Sequence, residues 1–290
     1  MKKCVNCGQC FVSDSWNCPS CGNVPSNING IAVLAQDVSG AHEAAGRLSP
    51  DLVAKLQETN FWFAARNRII KMALERFFPK AESLLEVGCG TGFALAALEK
   101  NFPSIRLCGG DVYLQGLEIA AGKVSSQTEL ILMDTMQMPF SREFDIVCVF
   151  DTLEHIKDDE GALAQMFEAL KPGGGFMITV PQHPWLWSRF DEMSLHERRY
   201  GARELKAKLA RAGFSVRYTT SFVTLLFPAL LFSRLRFALS KTRKTQNELQ
   251  SGFVNAAMGK VMSLETALIA HGARLPFGGS LISVAQKPRQ

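Results

Sequence analysis

The sequence has no apolar run long enough to cross a lipid bilayer. The largely apolar stretch from Tyr218 to Ser233 carries no charged residue, but it is only 16 residues long and is interrupted by Pro228, whereas a transmembrane helix needs ~20 apolar residues. The first residues, Met1 to Cys4, include two lysines and no apolar segment of the kind that a secretory signal carries. We therefore expect a cytoplasmic protein, either free or attached peripherally to the inner face of the membrane.

Internal repeats and long low-complexity tracts are also missing, which excludes a solenoid architecture. Of the 290 residues, 47% are apolar and 20% charged, which excludes a disordered or fibrous protein and allows one large core with a small appendage. Acidic residues are almost absent from one segment. Residues 198–244 hold 12 Lys and Arg but a single acid, Glu204, although the net charge of the whole chain is only +5. This local excess of positive charge favours an anionic partner.

Cysteine is scarce beyond the N-terminus, since five of the eight cysteines lie in the first 21 residues. Cys4 to Gly8 and Cys18 to Gly22 are two CxxCG units. Two thiolates three positions apart on a tight turn can bind one metal ion, and four complete the tetrahedral site of Zn²⁺. This start resembles the zinc-ribbon family, and we predict such a ribbon in residues 1–25, with unmetallated or redox thiols as the alternative. The expected ligands of the structural Zn²⁺ are Cys4, Cys7, Cys18 and Cys21.

The rest of the chain is predicted to contain a linker, a core and an insertion. Residues 26–50 are rich in Asn, Ser and Gly and are predicted to form a linker. Helix and strand patterns alternate over residues 51–220, which predicts βαβ units in a doubly wound α/β sheet. Residues 221–278 are an insertion that is first apolar and then basic, and residues 279–290 contain a candidate for the last core strand.

A glycine-rich segment, Glu86 to Gly92, follows the first strand of this pattern. Glycine permits a sharp turn and the close approach of a ligand to the backbone, but glycines alone would also fit a dinucleotide dehydrogenase. Glu86, directly before the loop, would repel a pyrophosphate and suits a cationic amino-acid group. Asp111, at the end of the second strand, can accept hydrogen bonds from both hydroxyls of a ribose, and Asp134, after the third strand, can meet an adenine amino group.

Together with Lys171 to Gly175, these segments closely resemble class I S-adenosylmethionine-dependent methyltransferases over roughly residues 60 to 220. The resemblance implies a Rossmann-like sheet of seven strands with an antiparallel last strand, Ser280 to Gln286, and S-adenosylmethionine as the cofactor. The run Phe150 to Ile156 is similar to the ubiquinone-biosynthesis O-methyltransferase branch, which implies that Phe150 lies beside the cofactor. In that branch an arginine of the helix before the glycine loop reaches the cofactor. Arg68 lies at a matching distance, with a surface position as the alternative. The expected cofactor-binding residues are Arg68, Glu86, Gly88, Cys89, Gly90, Gly92, Asp111, Val112, Asp134, Thr135 and Phe150.

Methyl transfer requires the nucleophile and the methyl group to be aligned at ~3 Å with water excluded. A hydroxyl nucleophile also benefits from a base, and His155, just after the fourth strand, is the candidate catalytic residue; its alternative is a structural or helix-capping role. The segment after the fifth strand overhangs this position, and its arginines could recognise phosphate or carboxylate. The expected substrate-binding residues are His183, Trp185, Trp187, His196, Arg198, Arg199 and Tyr200.

The nature of the acceptor is left open by the sequence. Residues 185–200 and 275–278 resemble an uncharacterised group of bacterial methyltransferases associated with glycan and polyprenyl-lipid pathways. Residues 221–244 could form a lid or homodimer element, lie at a membrane surface with cations on anionic headgroups, or bind RNA. The contiguous Leu and Phe residues of this run favour lipid over nucleic acid. We predict methyl transfer to an oxygen of a small-molecule or lipid- or glycan-linked anionic acceptor. The alternatives are a ribosomal-RNA base methyltransferase and a non-catalytic S-adenosylmethionine-binding regulator.

Overall fold

The computed structural model describes residues 1–35, 49–239 and 252–289, with the side chains of 235–239 left out, and over these ranges a mixed sheet of nine strands forms the core. A separate pair of short strands lies at the N-terminus. The strands are β1 (Lys2–Lys3), β2 (Cys10–Phe11), β3 (Asn27–Ile28), β4 (Ile31–Val33), β5 (Ser83–Val87), β6 (Arg106–Asp111), β7 (Glu129–Leu132), β8 (Phe144–Phe150), β9 (Leu170–Pro181), β10 (Ser215–Phe222) and β11 (Ser280–Gln286). The helices are α1 (Pro50–Thr59), α2 (Phe61–Phe77), α3 (Phe93–Asn101), α4 (Leu114–Ala121), α5 (Asp159–Ala169), α6 (Arg189–Met193), α7 (Ala202–Arg211), α8 (Phe227–Leu239) and α9 (Gly252–Ala270).

The strand order across the sheet is β10-β11-β9-β8-β5-β6-β7-β4-β3. Strands β5 to β9 run parallel to one another, whereas β11 runs antiparallel to both β9 and β10. Strand β5 is buried on both faces: Leu84 packs into the cluster that contains α2, and Leu85 packs into the cluster that contains α5. This double burial explains why the central strands read as continuous apolar runs. The predicted α/β sheet with an antiparallel last strand is confirmed.

The sheet is wider than the expected seven strands because of residues that we had assigned to the linker. Strands β3 and β4 form a hairpin, and β4 pairs in parallel with β7, where Ala32 lies opposite Ile131. Gly30 N–H donates to Oδ1 of Asn27 in the turn, and Ile31 is fully buried in the core. The linker prediction for residues 26–35 is therefore corrected to an edge of the sheet. Residues 36–48 of the predicted linker lie outside the described ranges.

The N-terminal module is attached to the segment that precedes β8. Lys3 N–H donates to the carbonyl of Pro139 at 2.9 Å. The Trp16 ring packs edge-on against Phe140, with centroids 5.5 Å apart, and its Nε1 donates to Oε1 of Glu129 at 2.8 Å. Because these contacts combine backbone, aromatic and charged groups, the cysteine-rich module is part of the core's surface and not a freely tethered appendage.

The insertion folds back onto the core. Its helix α9 buries Met262 and Ile269 in the same cluster as α2. Glu265, also on α9, is fully buried and accepts hydrogen bonds from the backbone N–H groups of Val223 and Thr224, which fixes the turn between β10 and α8. None of the helices that the structure describes is both long and apolar enough to cross a bilayer.

Candidate active site

A cavity of about 710 Å³ lies where β5, β8 and β9 end. Its floor comes from the loops that follow these strands, and its walls come from α1, the first turns of α2, and the insertion helices α8 and α9. Small-molecule sites have volumes of roughly 300–1,000 Å³ and occur preferentially at this edge of α/β sheets. The cavity is therefore the candidate active site.

The glycine loop forms one end of the cavity and has a backbone that other residues would not adopt. Gly88 has a φ of +71°, and a Cβ at this position would overlap the side chain of Thr152. Gly90 N–H donates to Oδ2 of Asp111 at 2.7 Å, and Tyr113 N–H donates to its Oδ1 at 2.9 Å. These bonds hold the loop against the end of β6, so that the peptide groups of the loop face the cavity at close range.

Glu86 is buried at the base of this loop without a compensating partner. Its side chain lines the cavity, and its Oε2 atom has no hydrogen-bond partner among the described residues. Burial raises the pKa of Glu86 to about 8, while the charge of Arg66 partly opposes that rise. An ammonium group would supply the missing partner and favour the ionised carboxylate. The residues present thus fit the amino-acid end of S-adenosylmethionine.

The predicted cofactor residues divide into two groups. Glu86, Gly88, Cys89, Gly90 and Phe150 line the cavity. Five others do not line it: Gly92 lies directly before α3, and Asp111, Val112, Asp134 and Thr135 lie at the ends of β6 and β7, where the Met133 N–H donates to the carbonyl of Asp111.

Asp134 has a local structural role at its strand end. Its carboxylate accepts a 2.8 Å bond from Met136 N–H and caps a short 3₁₀ turn. A free carboxylate lone pair on such a cap can still accept a hydrogen bond from a ligand.

Arg68, the arginine expected at the cofactor, lies exposed on α2 and does not line the cavity, in line with the alternative of a surface position. The arginine that does so is Arg66, two positions earlier, which is buried and close to the rings of Trp62 and Phe63. Two positions on a helix differ by ~200° of rotation, so the two side chains point to opposite sides. Arg66 lies three and four positions before the buried Ile69 and Ile70, and this apolar stripe was a signal that could have identified it.

His155 faces the cavity beside a second imidazole. Its ring packs edge-on against that of His196, with centroids 4.7 Å apart. Although the residue is exposed to the open cavity, desolvation of its ring by neighbouring protein atoms, and secondly the imidazole of His196, lower the pKa of His155 to about 4. The imidazole is therefore neutral at physiological pH and able to accept a proton. Its position agrees with the sequence prediction, while its role stays a proposal.

Glu154 completes a cluster of three potential ligand groups with these histidines. It is buried, its Oε2 has no partner among the described residues, and burial together with the charge of Asp151 raises its pKa. Ligand atoms of Glu154, His155 and His196 lie within 4.8 Å of one another. Two imidazoles and a carboxylate are donors that divalent transition metals accept, so these residues could hold a metal ion at the cavity floor.

A network around the buried Asp191 shapes the opposite corner. Oδ1 accepts from Nδ1 of His196 at 2.9 Å and from Nε of Arg199 at 2.7 Å. Oδ2 accepts from the backbone N–H and the hydroxyl of Ser188. Although burial opposes it, hydrogen bonds from His196 and the charge of Arg199 hold the pKa of Asp191 well below its usual range. The network fixes the ring of His196 and the guanidinium of Arg199 against the cavity.

Of the predicted substrate residues, only His196 and Arg199 line the cavity. Arg198 pairs with Asp159 at 3.0 Å, and the buried Tyr200 donates to the same carboxylate at 2.8 Å, so both stabilise the loop. His183, Trp185 and Trp187 lie outside the cavity lining, with both tryptophan side chains exposed. Lining residues that the sequence analysis did not assign to the site include Arg66, Asp151, Glu154, Arg234 and Asn255.

The four predicted metal ligands converge at the N-terminus. The Sγ atoms of Cys4 and Cys21 are 3.7 Å apart, as are those of Cys7 and Cys18, and all four lie within 4.8 Å of one another. Tetrahedral Zn²⁺ with Zn–S distances of ~2.3 Å places its sulfur ligands about 3.8 Å apart. The geometry and the donor set thus fit Zn²⁺.

Comparison with known proteins agrees with the geometry of the cavity. A family model described as a methyltransferase domain matches residues 60–219, more than half of the chain. The chain is 25% identical over 115 residues to a malonyl-[acyl-carrier protein] O-methyltransferase of Priestia megaterium, covering 39% of this chain and 42% of that protein. It is 30% identical over 149 residues to the O-methyltransferase cnsE of Penicillium expansum, covering 47% and 53%. The chain thus spans about half the length of these two curated relatives.

Among solved structures, the chain is similar to the N-methyltransferase NodS of Bradyrhizobium japonicum in complex with S-adenosyl-L-homocysteine. The identity is 16%, the match covers 87% of this chain and all of that one, and the TM-score is 0.54. A likeness at this identity shows the fold alone.

Proposed function

The chain belongs to the methyltransferase-domain family, and we propose that it is an S-adenosylmethionine-dependent methyltransferase that methylates an oxygen of a small-molecule or a lipid- or glycan-linked acceptor. The observation that carries the proposal is the pairing, within one cavity, of a buried carboxylate without a partner, Glu86, and a neutral imidazole, His155. The first suits the cofactor's ammonium group, and the second suits a proton that must leave a hydroxyl.

One end of the cavity is suited to bind the cofactor. The loop at Gly88 and Gly90 offers backbone groups without side chains in the way, and Glu86 and Asp111 supply carboxylates for an ammonium and for hydroxyl groups. S-adenosylmethionine supplies a methyl group on a sulfonium, which leaves readily. This chain's task is consequently to hold the acceptor oxygen in line with that methyl and to exclude water.

His155 is proposed as the general base. The acceptor's O–H bond gives its proton to the neutral imidazole while the new O–C bond forms and the S–C bond breaks. Methylation of a neutral amine does not need a base in the same way, because the nitrogen lone pair is free before reaction. A neutral histidine at the floor therefore favours oxygen, in agreement with the names of the two curated relatives.

The alternatives are separated by following a labelled methyl group from S-adenosylmethionine into cell extract. We expect label in an alcohol-, phenol- or acid-derived product of the small-molecule or lipid fraction, with none when the Asp111→Ala variant replaces the wild type. Label that disappears with ribonuclease would instead support the ribosomal-RNA alternative. Cofactor binding without label or S-adenosylhomocysteine release in any fraction would support the non-catalytic regulator.

Contact with a membrane surface is proposed for the insertion, and exposed apolar side chains support it. Phe232 is exposed on α8, and Leu225 is exposed in the turn that precedes this helix. Phe277 and Trp185 are also exposed, and each packs on Phe227. Such an apolar face beside a cationic sequence suits an anionic bilayer. Sedimentation with anionic vesicles at ~0.15 M salt should bring down the wild type and less of Phe232→Ser. No sedimentation of the wild type would contradict the proposal.

A further inference from the structure

Arg234, contributed by the insertion helix α8, reaches the cavity with two guanidinium nitrogens that have no hydrogen-bond partner among the described residues. The residue lines the cavity, and only 17% of its side chain is exposed. Its Nε and Nη1 atoms are buried and have no hydrogen-bond partner among the described residues. The nearest acid, Asp191, is 3.7 Å away from Nη1 at its Oδ2 atom, which is too long for a hydrogen bond.

Asp191 does not satisfy Arg234 because its oxygens are already occupied. His196 and Arg199 donate to one oxygen, and the amide and hydroxyl of Ser188 donate to the other. Two guanidinium groups thus share one carboxylate in this corner, and Arg199 takes the hydrogen bond. The charge of Arg234 is left in excess.

The other acids of the cavity do not offset this charge. Asp151 accepts hydrogen bonds from Arg66 and from the hydroxyl of Thr179. Glu86 and Glu154 are buried, and among the described residues neither carboxylate forms an ion pair with Arg234. Burying an unpaired charge costs free energy in the folded protein. A residue retained in that state at the wall of a cavity indicates an anionic ligand.

We propose that Arg234 binds an anionic oxygen group of the acceptor, either a carboxylate or a phosphate. Arg234 is then the residue that determines the specificity of the site. The guanidinium fork presents parallel N–H groups that match either anion. Leu230 on the same helix, Leu226 directly before it and Met193 on α6 also line the cavity, so an apolar portion of the acceptor has a place beside the charge. This inference rests on the proposed function, since it names the chemistry of the acceptor in that cavity.

Three short probes with the same chain and different heads test the inference. Octanoate, octyl phosphate and 1-octanol are titrated calorimetrically into the full-length protein saturated with S-adenosylhomocysteine. We expect the wild type to bind one or both anions roughly tenfold or more tightly than the alcohol, as a charge-assisted hydrogen bond to a buried partner implies. The anion that binds more tightly identifies the head group of the acceptor as a carboxylate or a phosphate.

Arg234→Gln should abolish the preference for the anions, and Arg234→Lys should keep part of it because the charge remains without the fork. Arg203→Gln, at an exposed position of α7 outside the cavity, is the matched control and should leave the preference unchanged. Equal binding of anions and alcohol by the wild type, or an unchanged preference in Arg234→Gln, would overturn the inference. Binding of S-adenosylhomocysteine is measured first for every variant. Its absence in the wild type would overturn the proposed function, whereas its presence with no anion preference overturns this inference alone.

Discussion

Nη1 of Arg66 donates a 2.8 Å hydrogen bond to Oδ2 of Asp151, although the two residues are 85 positions apart in the chain. The same carboxylate oxygen accepts from the hydroxyl of Thr179 at 2.8 Å. Asp151 has a φ of +51°, which is costly for a residue other than glycine. The bonds that hold it there join α2, the end of β8 and strand β9 at the cavity floor, so the pair connects the stability of the fold to the shape of the site.

Removing the carboxylate of Asp151 should leave the buried Arg66 unpaired. Breaking a buried ion pair in this way costs roughly 3–5 kcal/mol. We therefore expect Asp151→Ala to lower the free energy of unfolding in urea by about 3 kcal/mol, and Asp151→Asn, which keeps the shape and an acceptor oxygen, to lower it by less. Glu75→Gln, in an exposed pair with Lys71, is the control and should change stability by less than about 1 kcal/mol. An Asp151→Ala variant as stable as this control would contradict the interpretation.

Glu86 should release a proton when the cofactor product binds. Its pKa of about 8 in the ligand-free protein means that it is mostly protonated at pH 7, and an ammonium partner favours its ionised form. Calorimetric titration of S-adenosylhomocysteine in buffers of different ionisation enthalpy should report the release of up to about one proton. Glu86→Gln should release none and bind at least about tenfold more weakly. Identical proton release by both proteins would assign the proton to another group.

The same carboxyl makes the ligand-free protein less stable as the pH rises. In the unfolded chain the group has its ordinary pKa of 4.5, and in the folded protein its pKa is about 8. Between these values the folded state binds the additional proton, so the free energy of unfolding falls with rising pH. Unfolding measured from pH 5 to 8 should show a smaller fall for Glu86→Gln than for the wild type. If the free energy of unfolding fell equally with pH in both proteins, the assignment of this pH dependence to Glu86 would be contradicted.

His155→Asn should lower kcat by about 10²–10⁴, the range that general bases contribute, while the affinity for S-adenosylhomocysteine stays unchanged. Because the pKa of His155 is about 4, its imidazole is already unprotonated at pH 6 to 8, and we expect no fall in rate from its protonation until the pH approaches 4. His271→Gln, at an exposed position after α9, is the control with full activity. If His155→Asn retained wild-type kcat, the histidine would be structural.

Zinc should bind in a ratio of one ion per chain and stabilise the N-terminal module. Cys18→Ser removes one of four converging thiols and should abolish stoichiometric zinc, measured by elemental analysis of the purified protein. Since the few apolar residues of this module cannot fold it without metal, Trp16 should leave Phe140, and Tm should fall. Cys10→Ser, outside the four-thiol cluster, should keep both zinc and Tm. Loss of zinc in both variants, or in neither, would contradict the predicted ligand set.

Gly88→Ala should damage cofactor binding more than folding. The new methyl group would overlap Thr152 and would sit on a positive φ, a conformation that costs of order 1–3 kcal/mol in a residue other than glycine. We expect at least a tenfold weaker affinity for S-adenosylhomocysteine, because the loop must move away from its position. Gly122→Ala, at a negative φ with no atom nearer than 3.4 Å, should bind like the wild type. Unaltered binding by Gly88→Ala would show that the loop tolerates the shift.

Much of the fold was predictable because its signals are local. Strands β5 and β8 are buried on both faces, which requires continuous apolar runs. Along the sequence these runs alternate with segments that have helical periodicity. Strands β3 and β4 span two and three residues, too few for any periodicity to be seen. These two strands are held in place because β4 pairs with β7, and the sequence of the hairpin does not indicate that contact.

Within the candidate site, the residues that are adjacent in the sequence were predictable, whereas those brought together only by packing were not. Glu86 and the glycine loop are adjacent in the chain, so their spacing alone indicates a ligand. Arg234 meets Asp191 across 43 positions, and only the packing of α8 over the cavity brings them together. Tyr200 shows the complementary case, because it is next to the cavity residue Arg199 in sequence but is buried in the core, where its hydroxyl donates to Asp159.

The position of β11 between β9 and β10 has a consequence for synthesis. Within the described sheet, β10 pairs with no strand other than β11, and that strand is translated about 60 residues later, on the order of 3–12 s at ribosomal speeds. Until residues 280–286 leave the ribosome, both β9 and β10 present open hydrogen-bonding edges of the kind that recruit other chains. A premature stop codon shortly before β11 therefore removes few residues but leaves the edges of β9 and β10 unpaired. We expect the truncated protein to aggregate during translation.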